Sequence, residues 1–305
     1  MTANGFTSPF FTLVRLGSNV FAAIANRGTG ALGNAGIIDL GGQTIVFDTF
    51  LSPAAARDLR RAAQTVTGGD VTHVVNSHWH GDHINGNTVF SDAMIVSTSG
   101  TRERMLEVSR SSDVEQTIQG LLSYLKKRQQ EHDELPPGKH RDAVEADIGD
   151  RRSLLDSIRE VRNILPNVTF TDQLGLYGSS RSAVLHTFGG AHTHSDAFLW
   201  VPEEQVLFCG DIFVNRTHPW VGHGHIDNWI RTIDRISEFD VVQLVPGHGD
   251  VGNKDDLYAH REYLVHLLSL IDEVDKQDIT IPEQYADWSA AHMFYRNIDA
   301  LRSRK

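Results

Sequence analysis

The sequence predicts an α/β protein, and three observations carry that prediction. Short β-rich runs alternate with turns through the first third of the chain and pass into a β-α-β pattern. A charge-rich helical stretch fills about 99–165. Strands then return, and apolar strands repeatedly run into glycine-bearing loops that carry histidine. With 305 residues and 40% hydrophobic content, the chain can bury a substantial core. It is read as a single domain over 1–305 with a helical insertion at about 99–165.

Taken in order, Phe11 to Leu16, Val20 to Ile24, Ala35 to Leu40 and Thr44 to Asp48 are β-rich, and Gly41-Gly42 between the last two signals a hairpin. Ser52-Pro53 then opens a helix, with serine at the N-cap and proline at the first helical position, and Ala54 to Val66 continues it. A strand ending at Val74-Val75 follows, then another at Ala93 to Ser97. Within the insertion, Val114, Ile118, Leu121 and Leu125 recur at helical spacing, as do Leu154, Ile158, Val161 and Leu165. Pro136-Pro137-Gly138 separates the two rows, so two amphipathic helices are expected. Lys126-Lys127-Arg128 is read as a solvated face. Whether the insertion packs only on itself or caps a site stays open. Strands are expected at Val168 to Thr171, Ala183 to Phe188, Ala197 to Pro202, Gln205 to Asp211 and from Val241 into the Pro246-Gly247-His248-Gly249 turn. Leu257, Leu264, Leu267, Leu268 and Ile271 mark a long helix, and Ala290 to Leu301 a further one.

The formal net charge of -11 argues against a nucleic-acid or anionic-membrane partner, because both need clustered Lys and Arg to replace counterions. A small-molecule substrate fits better, and a homo-oligomer is compatible with the chain. The single cysteine, Cys209, excludes an internal disulfide framework. Met1-Thr2-Ala3-Asn4-Gly5 lacks a basic segment with an apolar core behind it, and no apolar run approaches membrane-spanning length. A cytoplasmic protein is expected.

The chain is organised around Ser77-His78-Trp79-His80-Gly81-Asp82-His83, which an apolar strand feeds directly. Imidazole and carboxylate crowded into one loop are the donors that zinc prefers. His78 and His80 are expected to bind one ion, with Asp82 and His83 turned toward a second and Gly81 supplying the turn. A polar, histidine-rich surface loop is the alternative, but it leaves the preceding strand and the later motifs unexplained. Those motifs are Ala191-His192-Thr193, Phe208-Cys209-Gly210-Asp211 and Pro246-Gly247-His248-Gly249.

In this order, the four motifs resemble the metallo-β-lactamase superfamily of hydrolases, over Val74 to Gly249. The resemblance implies an αββα four-layer sandwich with its site along one edge of the two sheets. It implies Zn2+, two per chain, with iron or manganese as other occupants. His78, His80 and His192 would hold the first metal, Asp82, His83 and His248 the second, and Asp211 would bridge them. A water held between two dications loses its proton near neutral pH, against about 15.7 for bulk water, and becomes the nucleophile. No serine elbow is then needed, and no Gly-x-Ser-x-Gly is visible. Asp82 and Asp211 are therefore catalytic candidates as well as ligands.

Residues around the motifs carry lesser expectations. His194 is read as a pocket or surface histidine, Asp196 as a group orienting a ligand, and Asp48 as either a second such group or an exposed strand end. Cys209 is read as core packing. His223 and His225 lie in His218-Pro219-Trp220-Val221-Gly222-His223-Gly224-His225. They are candidate pocket residues, as is Trp220, and candidate proton donors to the leaving group, with plain exposure as the alternative.

The expected activity is hydrolysis of an ester, lactone, thioester or amide-like carbonyl. β-Lactam hydrolysis is one alternative. The superfamily's glutathione thioesterases carry a basic C-terminal helical domain, which this short, acidic tail does not match. Iron-dependent oxidoreduction on the same fold is the other alternative, disfavoured by the full second ligand set and the lack of a flavodoxin-like domain.

Overall fold

A computed structural model of the chain describes residues 5–272 and 279–303. Met1 to Asn4, part of the stretch read for an export signal, lies outside the described residues, as does the side chain of Ile271.

The hairpins expected at the start form as antiparallel strands β1 (Phe11–Gly17), β2 (Val20–Ala25), β3 (Ala35–Asp39) and β4 (Thr44–Phe47). Helix α1 (Pro53–Thr67) follows. Ser52 caps it by accepting the Ala55 amide at 3.2 Å, and Gly68 ends it at φ 73°. It crosses over to β5 (Val71–Val75), which pairs parallel with β4. The His78 loop ends in a short helix, α2 (Gly81–Ile84), and a 3-10 stretch, Asn85–Phe90. Gly81 thus opens a helical turn there. β6 (Met94–Thr98) and β7 (Val168–Phe170) complete a seven-stranded sheet whose spatial order is the order of the chain.

Between β6 and β7 the insertion forms three helices where two are expected: α3 (Ser99–Ser111), α4 (Val114–Glu134) and α5 (Lys139–Ser157). Thr98 caps the first through the Thr101 amide, and Asp113 caps the second through the Gln116 amide, both at 3.0 Å. The break at Pro136-Pro137-Gly138 falls where expected. The last row does not hold: the chain tightens into a 3-10 turn at Ile158–Glu160, and Val161 and Leu165 lie beyond it. Leu165 precedes Pro166, and a residue before proline is disfavoured in helical conformation. Arg128 also departs from expectation. It is buried, its Nε 2.9 Å from Asp147 and its Nη1 2.6 Å from Glu131, and only Lys126 and Lys127 are exposed.

The second sheet contains β8 (Gln173–Tyr177), β9 (Ser182–His186), β10 (Phe198–Val201), β11 (Val206–Gly210) and β12 (Gln243–Pro246). Helix α6 (Ile226–Ser237) links β11 to its parallel neighbour β12, and α7 (Lys254–Asp272) and α8 (Ala291–Arg302) follow.

Packing makes these elements four layers. Ile38, Ile45, Phe47, Val75 and Val96 of the first sheet meet Leu185, Leu199, Val206, Phe208 and Val245 of the second. The other face of the first sheet is covered by Ala55, Leu59, Ala62 and Ala63 of α1. Trp229, Ile233, Leu264, Phe294 and Ile298, from α6, α7 and α8, cover the outer face of the second. This is the expected αββα sandwich. Each layer satisfies the requirement that an apolar sheet face or helix stripe be buried against another element. No helix among the described residues is long and apolar enough to cross a membrane.

Candidate metal centre

The parallel strands β4 and β5 of one sheet and β11 and β12 of the other deliver Asp48, His78, Asp211 and His248 just past their C-terminal ends. Ligand sites in α/β sheets form at such ends because the loops there are free of the ladder.

Two donor sets meet there. His78, His80, His192 and Asp211 form one, and Asp82, His83 and His248 the other. In the first, His80 Nδ1 lies 3.0 Å from His78 Nε2 and 2.9 Å from His192 Nε2. Three nitrogens at metal–nitrogen distances of about 2.0–2.1 Å in tetrahedral array stand about 3.3 Å apart, close to this spacing. In the second, His83 Nε2 lies 3.6 Å from Asp82 Oδ2, and His248 Nε2 lies 3.3 Å from the same oxygen. Asp211 sits between the sets. Its Oδ2 is 3.3 Å from His192 Nε2, while its Oδ1 is 3.2 Å from His83 Nε2 and 3.5 Å from His248 Nε2.

The hydrogen bonds behind the histidines decide which ring nitrogen faces inward. Ser77 Oγ donates its one proton to Asp48 Oδ2 at 2.7 Å, so at 2.9 Å from His78 Nδ1 it accepts, and His78 Nε2 keeps a lone pair for the site. His83 Nδ1 bonds the same Asp48 oxygen at 2.8 Å, and Asp48 Oδ1 takes the Ser77 amide at 2.8 Å. Asp48, buried and at φ 59°, therefore orients one histidine of each set. His80 is held from behind by His223, its Nε2 2.8 Å from His223 Nδ1.

Asp196 acts on the backbone. It accepts the Ala191 amide at 2.7 Å and the Thr193 amide at 2.9 Å, fixing the chain on both sides of His192.

Charge separates the sets. Burial and neighbouring histidines push His78 and His80 well below the usual histidine value, and burial takes His192 to about 4. Burial works against charge on His83 and His248 too, but Asp211 and Asp82 outweigh it, raising His83 well above its usual value and His248 to about 10. Burial likewise opposes charge on Asp211, yet His248, His83 and His192 hold it well below the carboxylate range.

The residues fit a pair of cations. His83 Nε2 and Asp211 Oδ1 are buried, face each other across the site and make no hydrogen bond of acceptable geometry. Buried polar atoms of this kind are rare unless something binds them.

His194 is exposed, its Nε2 3.1 Å from the Gly100 carbonyl, outside both sets. Cys209 is buried, its Sγ 3.9 Å from the Leu207 carbonyl, also outside both sets. His225 is exposed at the start of α6, its amide bonded to the Ala191 carbonyl. His223 is exposed and stands in an aromatic cluster with Trp220, expected to line the pocket, and with Trp79, whose part sequence reasoning missed. Trp79 packs 4.5 Å from His80 and 5.1 Å from His223, with the Arg104 guanidinium 4.9 Å over its ring. Trp220 lies 5.7 Å from His223, with the Arg296 guanidinium 4.8 Å over it. Ser77 was missed as well, and only its place between a strand and the first histidine signals it.

Fold and donor sets together define a metal-binding, hydrolase-like protein with a His/Asp metal site. A family model described as the metallo-beta-lactamase superfamily matches residues 28–248, and the chain belongs to that superfamily. The metallo-beta-lactamase type 2 of Bacteroides fragilis is 26% identical over 117 residues, which is 37% of this chain. That match spans 47% of the relative, so the chain covers about half the length of the curated relative it matches. Among solved structures, the DIM-1 metallo-beta-lactamase exposed to ceftazidime aligns with a TM-score of 0.58 at 17% identity, over 85% of this chain and 98% of that one. A metallo-beta-lactamase from Pontibacter korlensis aligns with a TM-score of 0.59 at 15% identity, over 84% and 99%. At such identities these structures speak to the fold.

Proposed function

We propose that the chain is a dinuclear zinc hydrolase of small molecules that carry an ester, lactone or thioester carbonyl. The observation that carries this reading is Asp211, whose two oxygens face different donor sets while the buried His83 Nε2, 3.2 Å from one of them, makes no hydrogen bond of acceptable geometry. Two divalent ions held there would supply a nucleophilic hydroxide at neutral pH and a positive pole for the carbonyl oxygen. The chain's own residues do the rest. Asp48 and Ser77 present Nε2 of His78 and His83 inward, and His223 supports His80. Trp79 and Trp220 offer flat apolar surface to an acyl group, and Arg104 and Arg296 above them favour a substrate with an anionic group. The net charge of -11 supports a small substrate over nucleic acid.

β-Lactam hydrolysis is the second reading, favoured by the metallo-beta-lactamases that the chain resembles in sequence and fold. One panel separates the two: zinc-loaded and metal-free protein assayed against nitrophenyl esters, lactones, acyl thioesters and a chromogenic cephalosporin. The proposal expects zinc-dependent turnover with the highest kcat/KM on an ester, lactone or thioester. Highest efficiency on the cephalosporin establishes the second reading, and equal rates without metal overturn both.

A further inference from the structure

The helical insertion contributes no metal-ligand candidate, yet it grips a loop that leans on the second donor set. Asp150 of α5 is 3% exposed. Its Oδ1 accepts the Gly30 amide at 2.7 Å and its Oδ2 the Gly28 amide at 3.2 Å. Both glycines have left-handed backbones, at φ 77° for Gly28 and 104° for Gly30, so the loop presents its amides outward in a conformation that other residues resist. The approach is close. A Cβ on Gly28 would stand 3.0 Å from the Ala146 backbone, and one on Gly149 would collide with the Gly28 carbonyl.

Beyond Gly30 the same loop reaches the site. The Ala31 carbonyl accepts the Leu51 amide at 3.0 Å, and Leu32 packs on Leu51, Leu154 and Ile158. Gly33 then lies flat against the His83 imidazole, where a Cβ would come within 2.9 Å of its Cε1 and 3.0 Å of its Nε2. Asn34 donates its amide to the Gly247 carbonyl at 2.7 Å, and its Nδ2 to Pro246 and Gly249 at 2.9 and 2.8 Å. Those residues flank His248. One side of the 28–34 loop is therefore held by the insertion, and the other buttresses both histidines of the second set.

We propose that Asp150 is a positioning residue for the Asp82–His83–His248 half of the site, acting through the 28–34 loop. This rests on the dinuclear reading. The buried carboxylate holds two amides that would otherwise have to find water, and loss of that hold frees the loop to leave His83 and the Pro246–Gly249 turn. The first donor set has no contact with this loop among the hydrogen bonds described, so the effect is confined to one half.

The test is metal binding by the full chain, measured by competition with a chromophoric chelator, with His83→Ala marking the affinity that belongs to the second half. Hydrogen exchange of the 26–34 amides is read on the same samples without metal. Asp150→Ala should weaken the second-half affinity about 10–100-fold, the scale of lost outer partners, leave the first within twofold, and speed exchange at Gly28 and Gly30. Asp150→Asn keeps one acceptor oxygen and should fall between. Faster loop exchange with both affinities unchanged would overturn the proposal. So would an equal fall at both halves with faster exchange throughout, which would make Asp150 a stability residue only. A wild-type chain that binds fewer than two ions overturns the dinuclear reading itself, and this proposal with it.

Discussion

The two donor sets lie a carboxylate apart and differ in both charge and support. The first offers three histidines that burial keeps neutral, and its inner nitrogens already converge. The second places His83 and His248 among Asp48, Asp82 and Asp211, which hold them protonated unless another cation takes the protons' place. The first set is fastened by short-range bonds within its own loops, through Ser77 and Asp196, and by His223 behind His80. The second leans on a distant loop that the insertion holds. The neutral nest of nitrogens is thus fastened locally, whereas the carboxylate-rich half is also braced by a loop distant in sequence.

Asp211 is the carboxylate whose two oxygens face both sets, so its loss should give the largest effect. Asp211→Ala is expected to lose metal at both halves and at least ~10³-fold in kcat/KM, as when groups that act as a unit are broken. Cys209→Ala, two residues earlier and within β11, should keep both metals and most of the activity. Metal analysis and steady-state kinetics on the two variants check this. A cysteine variant that loses one ion while the aspartate variant keeps two would reverse the assignment.

A smaller effect is expected at Asp48, which touches both halves unequally. It bonds His83 directly but reaches His78 only through Ser77. Asp48→Asn should therefore weaken the second half about 10–100-fold and the first by less, in chelator competition. An equal loss would mean that the Ser77 relay matters as much as the direct bond.

The smallest expected effect is on stability. Burial pushes Asp150 up to about 6, although the Gly30 and Gly28 amides favour its charged form, with Arg151 also favouring charge and Asp147 opposing it. The folded chain then binds this proton more tightly than the unfolded one, where a carboxyl titrates near ~3.9. The resulting stabilisation is fully present below pH ~4 and is lost as pH rises through about 6, on the order of 1–3 kcal/mol. Asp150→Asn should remove that slope from the wild-type dependence of stability on pH, read by denaturant unfolding between pH 4 and 7.5. An unchanged slope would place the titration elsewhere.

The donors were legible because each sits in a short run of histidine, aspartate and glycine at the end of an apolar strand, a pattern that local sequence preserves. The hairpins and the Ser52 cap were legible for the same reason. The insertion was less so: helical periodicity carried Leu154 and Ile158 correctly, then overran into Val161 and Leu165, where Pro166 and a 3-10 turn end the helix. Arg128 read as solvated because its partner Asp147 is on another helix. Asp150 had no local signal at all, since its partners are amides about 120 residues away in the chain. Asp48 looked like a strand end with two readings, and only the folded positions of Ser77 and His83 choose between them.

Two ions held by two sets of residues, with Asp211 between them, should be visible directly. Diffraction from crystals of the zinc-loaded chain at the zinc absorption edge tests this. The account predicts two anomalous peaks about 3.5–4 Å apart, one within His78, His80 and His192, the other within Asp82, His83 and His248, with one Asp211 oxygen directed at each. A single peak among the three histidines, with His83 still facing Asp211 alone in zinc excess, would contradict it.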